Sequence, residues 1–85
     1  MWRRAYDEPV RVRMHEGGLT HFHWADDLYE VTELIKMVAV WHPRARVETQ
    51  LWHVAAAART GTERHGMYEI ECDHGNWRLV AMWGE

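Results

Sequence analysis

The sequence predicts an all-β domain: a small, curled antiparallel sheet of about five strands forming a half-barrel or small barrel. Three observations carry this. Apolar and polar residues alternate with period two in "VRVRM" (Val10 to Met14) and "YEIEC" (Tyr68 to Cys72), as half-buried strands require. Turn signals, namely "HEGGLT", "ADD" and His74-Gly75, separate the runs at hairpin spacing. Between them the long run "LYEVTELIKMVAVW" is rich in β-branched and aromatic residues.

The elements follow in order. Residues 1–8 read as a polar lead-in ended by Pro9, and Val10 to Met14 is the first predicted strand. "HFHW" is the second, after the glycine turn. The run from Leu28 to Trp41 admits two readings. As a helix it has Asp27 as N-cap, Glu30 three residues later, and Leu28, Val31, Ile35 and Val38 at helical spacing. As a strand it places Tyr29, Val31, Ile35, Met37, Ala39 and Trp41 on one face, interrupted only by Glu33. Pattern alone leaves these close to even; the side-chain types and the neighbouring hairpins favour the strand. "HPRAR" breaks the run at Pro43, "VETQLWHVAAAA" is read as a further strand with a short helix as the alternative, and "RTGTERHG" as a polar loop. "MYEIECDHGNWRLVAMW" closes the chain as the clearest hairpin.

Register follows from which side-chain sets must share a face. A three-residue loop of Glu16, Gly17 and Gly18, with Gly18 left-handed, pairs Val12 with Phe22 and Val10 with Trp24. It puts Val10, Val12, Met14, Phe22 and Trp24 on one face and Arg11, Arg13, His15, His21 and His23 on the other. A turn at Asp26-Asp27 then sets Trp24 opposite Tyr29 and His23 opposite Glu30. In the last hairpin Cys72 faces Trp77, Ile70 faces Leu79, Tyr68 faces Ala81 and Glu71 faces Arg78, which makes Cys72 a small core residue rather than a nucleophile.

Bulk numbers bound the function. At 85 residues the chain makes one domain, and a hydrophobic share of 47% with 27% charged is that of a folded protein. A net charge of −3 supplies no global field for nucleic acid or anionic lipid, although a local patch remains open. The single cysteine excludes an internal disulfide and fits a reducing cytoplasm. "MWRRAYDEP" precedes no apolar segment of signal-peptide length, and the run "MVAVW" is far short of the roughly 20 residues of a membrane span.

"HFH" beside Asp26, Asp27 and Glu30 raises the question of a metal site. The predicted register answers it: His21 and His23 lie beside Arg13 and Arg11, which oppose a bound cation, so no metal and no cofactor is expected. No nucleophile elbow, phosphate loop or His-Glu-x-x-His is present, and no catalytic residue is assigned. The candidate binding residues are Arg11, Arg13, His15, His21, His23 and Glu30 of the outer row, with Trp41 and Trp52, whose exposure would mark a partner surface.

The order of "EPVRVRMHEGGLTHFHWADDLYEVTEL", "LWHV" and "MYEIECDHGNWRLVAMW" resembles the actinobacterial domain-of-unknown-function family 6504. That family resembles in turn the C-terminal tail region of ImuB-like proteins, the catalytically inactive polymerase-related members of the mutagenesis machinery. The resemblance covers about Glu8 to Trp83, supports a strand over Leu28 to Trp41, brings no catalytic residues, and implies an association module near translesion synthesis. "WHPRAR", the alanine run and "RTGTERHG" depart from the family pattern. The expected function is therefore non-catalytic protein association. The alternative is a nucleic-acid contact through Arg11, Arg13, His15 and His23 with aromatic stacking; a small metal- or thiol-dependent enzyme ranks last. An exposed sheet edge would also let the chain pair with itself.

Overall fold

Alternating side chains need two faces, and this chain supplies them on seven strands in the computed structural model, which describes residues 2–59 and 65–84. The strands are β1 (Trp2–Pro9), β2 (Arg11–His15), β3 (Gly18–Trp24), β4 (Asp27–His42), β5 (Val47–Ala58), β6 (His65–Asp73) and β7 (Asn76–Gly84). All pair antiparallel in one sheet, ordered β1-β7-β6-β5-β4-β3-β2, and no helix occurs among the described residues. The all-β expectation holds, with seven strands in place of about five.

One strand comes from an unexpected place, and another begins earlier than expected. The lead-in at residues 1–8 is not a polar tail: Trp2–Pro9 is β1, paired along β7 from Trp2↔Gly84 to Pro9↔Arg78. Residues 60–64 of the polar loop lie outside the described residues, while His65 and Gly66 already belong to β6.

β1 and β2 sit at opposite edges of the sheet although only Val10 separates them in the chain. The sheet is not closed into a barrel, because β1 and β2 do not pair with one another. The covalent chain itself crosses from one edge to the other at Val10, whose N–H donates to the Trp77 carbonyl at 3.0 Å. Curling brings side chains of β1 and β3 together: the Tyr6 and Trp24 ring centroids lie 5.0 Å apart, and Trp24 Nε1 donates to Glu8 Oε1 at 3.3 Å.

The concave face holds the core. Phe22 stacks on Tyr29 at 5.0 Å with 1° between the planes, and both meet Tyr68 edge-on at 5.4 and 5.3 Å. Val54, Ile70 and Leu79 complete the packing, all with no exposed surface. Aromatic pairs of this kind add about 0.5–1.5 kcal/mol each beyond their area burial, which matters in a chain of this size.

Hairpin registers follow from backbone sign. Glu16 and Gly17 (φ 51° and 81°) form a two-residue turn, so Gly17 and not Gly18 takes the left-handed position. A register shift near Thr20 then restores the predicted body of the pair, Arg11↔His23, Val12↔Phe22 and Arg13↔His21. The next turn is Ala25-Asp26 (φ 51° and 62°) rather than Asp26-Asp27, because Asp27 Oδ1 accepts from Leu28 N at 2.8 Å and Asp27 opens β4. His21 therefore faces Glu30, and His23 faces Leu28. In the last hairpin the turn at His74-Gly75 and the pairs Cys72↔Trp77, Ile70↔Leu79 and Glu71↔Arg78 stand as predicted, but a shift beside Ile70 sets Tyr68 opposite Met82. Cys72 is half-buried on the inner face, against Trp77.

Alanine at a left-handed φ is strained by about 1–2 kcal/mol where glycine is not. Ala25→Gly is therefore expected to stabilise the protein by about 1 kcal/mol despite the added freedom of the unfolded chain. A raised midpoint in thermal unfolding checks it; an unchanged or lowered midpoint contradicts the turn geometry.

Candidate functional site

β4 is 16 residues long and β3 only 7, and this mismatch leaves most of the exposed large apolar side chains of the described residues on β4. β3 covers β4 only from Asp27 to Glu30. From Val31 to His42 the strand has β5 on one side, and no described strand on the other. The distal part of β4 and its partner in β5 therefore project as an arm.

Two register shifts set the faces of this arm. β4 carries one extra residue between Val31 and Glu33 and another between Leu34 and Lys36. The first sends Glu33 to the outer face opposite Ala55 and brings Leu34 inward opposite Val54; the second returns the original parity. Glu33 thus no longer interrupts the apolar face. Beyond the second shift Lys36 to His42 pairs regularly, with Met37, Ala39 and Trp41 on the inner face and Lys36, Val38, Val40 and His42 on the outer one.

Both faces lie open. Trp41 is 58% exposed, Leu34 50%, Ile35 45%, Met37 44% and Val38 40%. Pro43 to Arg46 turn the tip, where Arg46 N–H donates to the His42 carbonyl at 2.8 Å, and His42 Nε2 meets the buried Thr49 hydroxyl at 3.0 Å. Arg44 and Arg46 sit on the tip in solvent.

The other sequence-predicted residues separate into two groups. Arg11, Arg13 and His15 are exposed on β2, while His21 and His23 are half-buried on β3 and Glu30 is exposed on β4. The observed rows are Arg13, His21, Glu30 and Ala57, and beside it Arg11, His23 and Leu28. Glu30 thus joins Arg13 and His21 instead of Arg11 and His23. No group of three or more His, Cys, Asp or Glu among the described residues is arranged to hold a metal ion. Trp52 is corrected outright: it is 5% exposed, packs 6.0 Å from the Trp77 ring, and donates from Nε1 to Gln50 at 3.1 Å. It is a core residue and presents nothing to a partner.

Where the chain leaves β7 at the end of β1 and passes through Val10 into β2, two clefts open, of about 450 and 750 Å³, and Pro9, Val10 and Arg11 line both. His23, Trp24 and Asp26 line the first; Asp73, Asn76, Trp77 and Arg78 line the second. Acidic side chains offset the arginines here: Asp26 and Asp73 share the walls, and Arg78 is already paired with Asp7.

Sequence reasoning missed a further cluster on the convex face. His53 Nε2 lies 3.5 Å from Glu69, the Trp83 ring packs 5.5 Å from the His53 ring, and the Arg3 guanidinium sits over Trp83 at 5.3 Å. It was hidden because β1, which carries Arg3, was read as a tail. Leu34, Ile35, Met37 and Val38 were also missed as surface residues, although the length of the β4 run against its neighbour was a readable signal.

Fold and surface together define a class: a small open meander sheet with one long apolar edge left without a neighbour among the described residues. No protein-family model, curated protein or solved structure compared with the chain matches it.

Proposed function

We propose that this chain is a non-catalytic protein-association module that docks through the β4–β5 arm, serving as an accessory in a DNA-damage-tolerance assembly. The observation that carries the association is the exposure of Leu34, Ile35, Met37, Val38 and Trp41 on one strand. Side chains of this size, roughly half exposed, each stand to gain on the order of 1 kcal/mol when covered. Apolar side chains exposed on both faces of one strand, with Glu33, Lys36 and the arginines of the tip beside them, have the composition of an interface centre and its margin. The damage-tolerance setting is supported by the family resemblance alone.

A nucleic-acid contact is the second reading, favoured by the clefts at Arg11, where Trp24 and Trp77 stand beside basic groups. One experiment separates the two. Immobilised protein should retain a partner protein at about 0.5 M salt, where phosphate contacts are largely lost. Met37→Lys, at a 44% exposed position, should abolish that retention while leaving the unfolding midpoint unchanged. Equal retention by the variant would remove the arm from the reading. Single-strand binding that weakens steeply with salt and is indifferent to Met37→Lys would favour the clefts instead.

A further inference from the structure

We infer that the occupant of the arm is a second copy of the same arm, paired antiparallel about a two-fold axis at Ala39; this rests on the association reading above. The segment Lys36 to His42 is the part of β4 that lies beyond both register shifts, pairs regularly with β5, and meets no described strand on its other side. Alternate backbone groups along that side point outward in hydrogen-bonding geometry, a template for another strand. Bulges and charges are how edges are ordinarily blunted. In β4 the bulges at Thr32 and Ile35 guard the stretch nearer the sheet, and the five residues Met37 to Trp41 carry no charge and no proline.

The occupant must match both faces at once, because Met37 and Trp41 lie open on one and Val38 on the other. A pairing strand therefore has to be apolar at consecutive positions. The chain's other edge strands fail this: β1 carries Arg3, Arg4, Asp7 and Glu8, and β2 carries Arg11 and Arg13. "MVAVW" satisfies it, and Ala39 is the midpoint of the regular segment. A two-fold there sets Met37 against Trp41 of the second copy and Ala39 against Ala39 on the inner face, with Val38 against Val40 on the outer. Methionine against an aromatic ring is a favourable contact. The only polar encounter is Lys36 with His42 at each end, where solvent reaches both. Because the contact is isologous it closes as a dimer, whereas pairing of β4 with a β2 edge would continue as a filament.

Sedimentation over a concentration series tests this on the full chain. The wild type should pass from monomer to dimer with no larger species. Ala39→Lys and Ala39→Glu, at an exposed position, each place like charges face to face across the axis and should weaken the dimer at least about tenfold. An equimolar mixture of the two variants should restore it, because Lys then faces Glu; at concentrations where the wild type is monomeric, unfolding curves of each variant alone should match it. A monomeric wild type at every concentration overturns self-pairing, and the Met37→Lys capture then decides the wider association reading separately. A dimer indifferent to both charges, or a mixture that stays monomeric, overturns the axis at Ala39.

Discussion

Phe22→Ala is expected to destabilise the protein by about 3–5 kcal/mol, the largest effect of any single truncation here. Phe22 has no exposed surface and holds two aromatic contacts at once, stacked on Tyr29 from β4 and edge-on to Tyr68 from β6. Truncation removes the transfer energy of the ring and both contacts. The cavity would lie at the centre of the curl, where Tyr29 and Tyr68 already meet each other and have limited room to close in. A domain of this length has on the order of 4–13 kcal/mol of stability in total, so the loss approaches or exceeds half of it in most of that range. Urea unfolding should show a much lower midpoint with an unchanged slope. Phe22→Leu keeps the apolar volume better and should cost clearly less. If the alanine variant loses under 1 kcal/mol, the three-ring cluster is not the centre of the core.

The faces of the strands were legible in the sequence and their exact neighbours were not, for a physical reason. Moving the β3–β4 turn from Asp26-Asp27 to Ala25-Asp26 slips the pairing by two residues, and a two-residue slip preserves every side chain's face. Phe22 and Trp24 therefore stayed inside while Glu30 moved from His23 to His21. Alternation specifies faces; only the turn's backbone signs specify rows, and alanine does not advertise a positive φ. The same limit explains β1. "WRRAYDE" has charge at four of its seven positions and reads as solvated, yet its backbone pairs along β7 regardless of which side chains it carries.

The arm shows the opposite failure. Its apolar content was legible but its exposure, apart from the candidate Trp41, was not, because periodicity says which residues share a face but not whether anything covers that face. Glu33 was the one discordant residue, and two bulges absorb it by turning it outward and then restoring parity. The edge beyond them, Lys36 to His42, pairs regularly with β5 and carries no further bulge.

Gly66→Ala is expected to cost about 1–3 kcal/mol, a large effect for the addition of one methyl group. A Cβ at Gly66 would stand 2.8 Å from the carbonyl oxygen of Trp83, closer than real Cβ atoms approach, and the opposing atom is backbone rather than the movable end of a side chain. Relief requires β7 to shift against β6, and Trp83 is paired with Arg3 of β1 as well as with Met67 of β6. The strain should therefore appear locally. Amide exchange should quicken at Met82, Trp83 and Gly84 and at Arg3 to Ala5, while the Phe22 cluster keeps its protection. Fluorescence from Trp83, which packs against His53 and beneath Arg3, should change as well. Nothing in "RTGTERHG" distinguished Gly66 from a loop glycine, since the demand for a bare Cα comes from a strand seventeen residues further along the chain. A variant within 0.5 kcal/mol of the wild type, with unaltered exchange at Met82 to Gly84, would show that β6 and β7 do not approach this closely at Gly66.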